Sequence, residues 1–277
     1  MVKVKGTYYL IWATVGTQYD TYCMGAYKST EGPLTGFVPQ KRPVALNEKN
    51  RLVRGGGHGS VVKGPGETVW CFYTVNIGLE SDMERRIACD PVAMDENGDL
   101  YVPDFCEEPQ YVPGVLAHPE EGNRTGEVNL TARQSYACSS FTPGHPPVYA
   151  IDENLMTCWQ PAEDDPAPSL IVSLQGNYYV SSSRVIFKEL GMDYEQGKEK
   201  SIFRYKIETL NSDENEWKLL IDQTGNETDH IMDYRRAEKP ALCQFVRLTI
   251  TDWNKDIHPG VVDFTVFGES AGKPGLC

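Results

Sequence analysis

Hydrophobic and polar residues alternate along much of this chain, which is the pattern of half-buried β-strands. In the segment 203–210, Phe203, Tyr205 and Ile207 share one face and charged residues occupy the other. The segment 245–251 repeats the pattern. Further strands are predicted at 8–13, 60–63, 69–75, 86–90, 170–174, 184–188, 217–222 and 263–268. Since turn residues separate these runs and no long helical period is present, the sequence predicts an all-β protein.

The chain has 277 residues, which is enough for two ordinary domains, each with its own core. A stretch rich in Pro, Gly and charged residues lies near its middle, and that composition is typical of a linker. We therefore expect a first domain, a linker, a second domain and a tail, at 1–110, 111–130, 131–270 and 271–277.

Composition narrows the classes of partner. The formal net charge is −13, which argues against nucleic acid because phosphates need Lys and Arg. No apolar run reaches the ~20 residues of a membrane-spanning helix, and the acidity counts against a membrane surface. The first residues hold no apolar signal-peptide core. The eight cysteines form no C-x-x-C pair, so we expect reduced, mostly buried side chains and no zinc site.

A short polar loop, 150–159, places several oxygen-bearing side chains close together. Asp152, Asn154 and Thr157 are of the type that a hard cation such as Ca²⁺ prefers. The alternative is a loop in which these side chains only hydrogen-bond the backbone. Spacing alone leaves both interpretations open.

The loop and the strands that follow it resemble the discoidin family, also called coagulation factor 5/8 type C, which overlaps carbohydrate-binding module family 32. The opening motif of that family is matched by Ala150, Asp152, Thr157 and Trp159. Glu153 stands where the family has Gly, which matters because Gly serves positions with positive φ. The resemblance implies a jelly-roll β-sandwich with a structural calcium ion held by Asp152, Asn154, Thr157 and Glu269. It also implies sugar binding.

Sugar binding needs an aromatic platform beside a few polar groups. Trp159, Tyr194 and Trp253 are the candidate platforms in the second domain. For each of them the alternative is an aromatic that packs in the core or under a loop, and Trp159 fits that alternative best because it leads from the polar loop into a strand.

Two motifs in the first domain resemble the last two blades of the five-bladed β-propeller of glycoside hydrolase family 43. One is the Gly-His-Gly-Ser-Val-Val-Lys-Gly-Pro run that contains His58, and the other spans 85–98. The resemblance places His58 at the propeller centre beneath the active site and makes Arg86 a second candidate residue there.

The same resemblance implies a role in inverting hydrolysis of arabinose- or xylose-containing plant polysaccharides, outside the cell or in the periplasm. Inversion requires one carboxyl group as acid and another as base. The motif register places all three catalytic carboxylates of the family before Met1, so this chain alone is expected not to be catalytic. Two alternatives remain: a non-catalytic, calcium-stabilised glycan-binding protein, and an adhesion module that binds protein or lipid.

Overall fold

The computed structural model describes residues 1–17, 19, 21–46, 52, 54–77, 85–105, 107–190 and 202–272. The chain divides into two compact units, Met1–Thr125 and Gly126–Cys277. Among the described residues the regular elements are β-strands and three short 3₁₀ helices, Pro65–Glu67, Pro119–Glu121 and Pro147–Ala150. The all-β prediction is therefore confirmed. No described helix is long and apolar enough to cross a membrane.

The described part of the first unit contains three antiparallel sheets. Its strands are β1 (Val2–Val4), β2 (Thr7–Thr14), β3 (Cys23–Ser29), β4 (Val38–Pro39), β5 (Arg54–Lys63), β6 (Val69–Asn76), β7 (Arg85–Pro91), β8 (Ala93–Met94) and β9 (Leu100–Tyr101). The sheets run in the order β1-β2-β3-β4, β5-β6-β7 and β8-β9. Because all neighbours are consecutive in sequence, each sheet is a simple meander.

A buried core holds the first unit together. Tyr9, Met24 and Cys71 have no exposed surface within it. At its margin the Asp99 carboxylate accepts hydrogen bonds from the Lys28 Nζ atom at 2.6 Å and from the Lys41 backbone N–H at 2.8 Å. Burial alone would raise the pKa of Asp99, but these donors lower it overall. The carboxylate therefore ties β3 and the loop after β4 to the turn before β9.

The second unit is built on one large antiparallel arrangement of strands. They are β10 (Val128–Asn129), β11 (Ser135–Cys138), β12 (Ser169–Leu190), β13 (Arg204–Leu210), β14 (Lys218–Asp222), β15 (Met232–Asp252) and β16 (His258–Ser270). Their order is β10-β16-β12-β15-β13-β14, and β11 also pairs with β12.

The two halves of β12 pair with different parts of β15 and have different second partners. Residues 169–173 pair with the end of β15, and residues 170–173 also pair with β11. Residues 178–186 pair with the start of β15, and residues 178–190 also pair with β16. The register of the β12–β15 pair shifts between Ser173 and Tyr178. Such irregularities bend a strand, so β12 and β15 both contribute to the two layers of a jelly-roll β-sandwich.

Both halves of β12 bury their apolar side chains in a single core. Leu170 and Val172 come from the first half, and Val185 and Phe187 come from the second. The Phe187 ring stacks on Phe203, with 4.3 Å between ring centroids and 3° between ring planes. The core therefore lies between the layers that β12 joins.

The ends of the second unit lie side by side. Val128 and Asn129 in β10 pair with Gly268 and Phe267 in β16. The N–H of Leu130 continues this contact by donating to the carbonyl of Val266 at 3.0 Å. The unit therefore begins and ends on neighbouring strands.

All of the predicted strands lie wholly or largely within observed ones, but the predicted linker differs. Residues 111–125 belong to the first unit. The stretch is closed by bonds from the Tyr111 N–H to Asn123 O and from the Thr125 N–H to Pro109 O, both at 3.0 Å, and the Thr68 hydroxyl donates to the Gly114 carbonyl at 3.0 Å. Residues 126–130 belong to the second unit and bury Leu130. The Pro, Gly and charged residues that suggested a linker at 111–130 gave no sign of the backbone hydrogen bonds that hold residues 111–125 in place. Of the described free cysteines, Cys71, Cys158 and Cys243 are buried as expected, whereas Cys23, Cys89 and Cys138 are only partly buried. Burial raises the pKa of Cys243 to about 12.

We predict that Phe187→Ala lowers the free energy of unfolding by about 3–5 kcal/mol, because it leaves a cavity in the stacked core. Tyr179→Ala is the matched control: the side chain lies in the same strand but is 48% exposed, and we expect a loss below about 1 kcal/mol. Urea unfolding followed by circular dichroism measures both. Equal losses would contradict this account of the core.

Candidate functional site

His58 lies in β5, inside the glycine run. Its backbone φ is +48°, and the register of β5 against β6 shifts on both sides of Gly57. The glycines permit this path, since a Cβ at Gly57 would lie 2.5 Å from the Tyr22 ring and a Cβ at Gly59 would lie 2.2 Å from the Phe72 carbonyl oxygen. The run therefore keeps β5 close to its neighbours and leaves the His58 side chain exposed.

Arg86 lies in β7, on the other side of β6 from His58. Its Nη1 atom donates to the carbonyl of Arg85 at 3.0 Å. Arg86 pairs with Val75 of β6, while Gly57 and Ser60 on either side of His58 pair with Thr74 and Phe72 of the same strand, so His58 and Arg86 are staggered along β6. The two residues share one three-stranded sheet.

The buried carboxylate of the same sheet is Asp90. Tyr73 donates its hydroxyl to Asp90 at 2.5 Å, and the Gln110 amide donates to the other carboxylate oxygen at 2.7 Å. These bonds join β6, β7 and the segment near residue 110. Asp90 is therefore engaged in holding the fold.

The polar loop of the second unit closes on itself. The Asp152 carboxylate accepts from the Asn154 N–H at 3.0 Å and from the Thr157 hydroxyl at 2.8 Å. The Asn154 side-chain oxygen accepts from the Met156 N–H at 3.0 Å. Burial raises the pKa of Asp152, while the bonds from Thr157 and Asn154 oppose that rise. The loop thus has the bonds expected of the backbone-bonding alternative.

Glu153 occupies the position where the related family has Gly, and it has a left-handed backbone with φ of +60°. A side chain with a Cβ atom is strained there, by roughly 1–2 kcal/mol. The turn that Gly would make is therefore formed here by Glu at an energetic cost.

Glu269 is not brought to this loop. It is exposed and lies at the end of β16, paired with Tyr179. The carboxylate of β16 whose charge affects Asp152 is that of Asp263. Asp263 precedes Glu269 by six residues, which is about 20 Å along a strand. Of the four predicted calcium ligands, the structure brings together Asp152, Asn154 and Thr157. Among the described residues, no group of three or more His, Cys, Asp or Glu side chains is placed to hold a metal ion.

Asp263 is itself buried in an ion pair. Its Oδ2 atom lies 2.9 Å from the Nε atom of Arg184, and the two side chains are only 2% and 12% exposed. The Thr265 hydroxyl lies 3.0 Å from both carboxylate oxygens. Burial raises the pKa of Asp263, and the contacts with Arg184 and Thr265 oppose the rise.

The two predicted sugar platforms that the structure describes differ in their surroundings. Trp159 is 0% exposed and donates its indole N–H to the Ser140 carbonyl at 3.0 Å, so it is a core residue. Tyr194 lies outside the described residues. Trp253 is half-buried, packs against the core and lines a surface pocket. Of the two described platforms, Trp253 is the one with accessible surface.

The pocket beside Trp253 has a volume of about 390 Å³. It is formed by the turn between β15 and β16 together with residues 162 and 163. Lys255 places its Nζ atom 3.6 Å from the centroid of the Trp253 ring. That ammonium also lies 3.0 Å from Asp252, and this bond, followed by one from Arg204, holds the pKa of Asp252 below its ordinary value. A cation therefore covers the aromatic platform.

Polar groups surround the platform. The pocket is lined by Glu163, Asp256 and His258 as well as by Lys255. The His258 Nε2 atom lies 2.8 Å from the Pro161 carbonyl oxygen, which fixes the ring. The arrangement combines one aromatic face with carboxylate, ammonium and imidazole groups, and it can hydrogen-bond a small polar ligand from several directions. The sequence identified Trp253 but gave no signal for Glu163, Lys255 or His258.

Residues 134–260 match the family described as F5/8 type C domain. The second unit therefore contains an F5/8 type C domain, which confirms the discoidin part of the predicted resemblance. No curated protein sequence matches the chain.

Several solved structures are similar to parts of the chain. A chitosan-binding module of a chitosanase/glucanase from Paenibacillus sp. IK-5 is 19% identical, with a TM-score of 0.42, and covers 51% of this chain and 99% of its own length. The family 32 carbohydrate-binding module of C. perfringens NanJ, solved with galactose, is 19% identical, with a TM-score of 0.42, and covers 51% and 98%. A structure named glycoside hydrolase is 17% identical, with a TM-score of 0.47. It covers 96% of this chain, which spans 58% of that protein.

We predict that Glu153→Gly raises the free energy of unfolding by about 1 kcal/mol, because Gly adopts the left-handed turn without strain. Glu153→Ala is the control, since it removes the same carboxylate but keeps a Cβ atom. The difference between the two variants in urea unfolding isolates the backbone effect. Equal stabilities would contradict a strained turn.

Proposed function

We propose that the second unit binds a saccharide in the pocket beside Trp253. The observation that carries the proposal is a half-buried indole at the edge of a 390 Å³ pocket, with Glu163, Lys255 and His258 around it. Small-molecule sites combine an apolar surface with a few convergent polar groups, and sugars present both C–H faces and hydroxyl groups. The F5/8 type C match is consistent with this role, because the family overlaps carbohydrate-binding modules.

Binding would require Lys255 to move from the ring. Its side chain is 66% exposed and long, so it can turn towards solvent or towards a ligand oxygen at little steric cost. A sugar face would then replace the ammonium over Trp253, while Asp252 keeps its bond to Arg204 at 2.7 Å. The ion pair between Lys255 and Asp252 is exposed, and exposed pairs contribute about 0–1 kcal/mol.

We predict that Trp253→Ala weakens saccharide binding by about fivefold or more, since stacking on an aromatic ring is worth on the order of 1 kcal/mol or more. Isothermal titration calorimetry against arabino-, xylo-, galacto- and chito-oligosaccharides measures this. Trp217→Ala is the matched control, because Trp217 is also half-buried under a cation, with Arg247 4.3 Å from its ring centroid, but lies outside the pocket.

Three results are distinguishable. Loss of binding in Trp253→Ala alone supports the site. Equal loss in both tryptophan variants places binding elsewhere or reports a folding defect. No binding of any oligosaccharide, with binding to anionic vesicles or to a protein, would favour the adhesion alternative.

The first unit supports a finer proposal, that the chain is part of a family 43-type glycoside hydrolase whose last two blades are the sheets β1-β4 and β5-β7. The supporting observation is that the sheets carry exposed apolar side chains on their strands. On the first sheet these are Leu10, Trp12 and Tyr27, and on the second they are Val62, Phe72 and Ile87. Large exposed apolar surfaces mark interaction sites, and further blades would cover them. In this proposal the natural ligand is an arabinose- or xylose-containing polysaccharide outside the cell or in the periplasm.

We predict that the 277-residue chain alone does not hydrolyse arabinofuranosides or xylosides. Inverting hydrolysis needs two carboxyl groups facing each other across a cleft, and Asp90 and Asp99 instead accept structural hydrogen bonds. Release of nitrophenol from the corresponding nitrophenyl glycosides is the assay. Turnover that disappears on substitution of one carboxylate of this chain would refute the prediction.

A further inference from the structure

The polar loop 152–157 and strand β16 meet near two carboxylates. The Trp159 N–H, two residues after the loop, donates to the Val261 carbonyl at 2.8 Å, and the Val261 N–H donates back to the Trp159 carbonyl at 2.8 Å. Asp263 follows Val261 by two residues in β16, and its charge contributes to the raised pKa of Asp152. A loop and a strand that share negative charge repel each other unless a cation lies between or beside them. The cation that the structure provides at Asp263 is Arg184.

Arg184 is positioned by the strand ladder. It lies in β12 directly opposite Thr265 of β16, and Asp263 lies two residues away on the same strand face. Its Nε atom lies 2.9 Å from Asp263 Oδ2, and its Nη2 atom lies 3.4 Å from Thr265 Oγ1. Because register fixes both residues, the guanidinium is held in place rather than free to leave.

A calcium ion would find little to bind here. Calcium takes six to eight oxygen ligands, with several from carboxylates. Asp152 and Thr157 bond to each other, Glu269 lies elsewhere, and Asp263 is engaged by Arg184. A divalent cation beside Asp263 would also be repelled by the guanidinium, and charge repulsion is strong in a site that is almost fully buried. The residues present therefore do not fit the calcium site that the family resemblance implied.

We propose that Arg184 takes the place of a bound metal ion in this module: its ion pair with Asp263 neutralises β16 next to the polar loop and holds that loop on the sheet without calcium. The module is accordingly folded and equally stable in a chelator. This role is independent of whether the pocket beside Trp253 binds a saccharide.

The first test uses the full chain. Thermal unfolding is followed in excess EDTA and in millimolar calcium chloride, with magnesium chloride at equal ionic strength as the control. A ligand that binds only the folded state raises Tm. We expect the same Tm within about 1 °C in all three, and no saturable heat when calcium is titrated calorimetrically. A calcium-specific rise of several degrees, or a saturable calcium heat, would overturn the proposal.

The second test is a double-mutant cycle on the ion pair. Arg184→Met and Asp263→Asn should each lower Tm, and the double variant should lose less than the sum, because residues in one ion pair are coupled. Additive losses would overturn the proposal. If Arg184→Met does not fold, Arg184→Lys replaces it in the cycle. Lys keeps the positive charge but lacks the planar guanidinium with its several donors, so we expect an intermediate loss of Tm.

A third measurement separates a role at the loop from general stability. Hydrogen exchange of the amides in 151–158 should speed up in Arg184→Met. Arg247→Met is the matched control, since Arg247 forms an ion pair with Glu208 at 2.7 Å on β15 and β13, and it should leave those amides unchanged. The proposal that Arg184 holds the loop would be contradicted if exchange of these amides were unchanged in Arg184→Met, or if it were accelerated equally in Arg184→Met and Arg247→Met.

Discussion

The second unit depends on the double pairing of β12. Each half of this 22-residue strand pairs with a different part of β15 and with one further strand, and both halves fill one core. A slip of one residue would turn every core side chain towards the opposite face. The pocket depends on the same ladder, because β15 ends at Asp252, Trp253 follows immediately and β16 begins at His258. Strand register therefore fixes the two ends of this turn and the backbone of His258, while Trp253, Lys255 and Asp256 lie in the turn itself.

Strands could be located from the sequence where apolar residues alternate with polar ones on a buried face. Strands that carry several charged residues or few large apolar ones were missed. The alternation in 203–210 and 245–251 located β13 and the second half of β15. The first half of β15 contains Arg235, Arg236 and Pro240, which conceal a strand that pairs with β12 over most of its length. Similarly, β3 contains a glycine and an alanine among few large apolar residues, so its pattern is weak. In both strands, tertiary pairing outweighs local preference.

Some residues of the candidate sites could also be named from the sequence, whereas others are found only in the structure. The sequence offered Trp159 and Trp253 alike as aromatic platforms, because a half-buried and a fully buried tryptophan look the same in sequence; the structure shows that Trp159 is fully buried and Trp253 half-buried. The acidic partner of the polar loop was sought after the last strand, at Glu269. The structure instead pairs Val261 of β16 with Trp159 just after the loop, and Asp263, two residues further on, reads in the sequence only as the polar start of a strand. Proximity between a loop and a strand over a hundred residues later is not encoded in any local pattern.

Because β10 and the end of β16 are neighbouring strands, the first and last strands of this domain lie close together, which affects how the domain can be fused to other proteins. A unit whose entry and exit lie on paired strands can be joined to another chain at either end, or inserted into a surface loop, without stretching across its own core. Fusion and excision then change only a few residues at one edge of the sheet. This geometry favours the gain, loss and tandem duplication of the module as an intact cassette, with its internal ion pairs and pocket carried along unchanged.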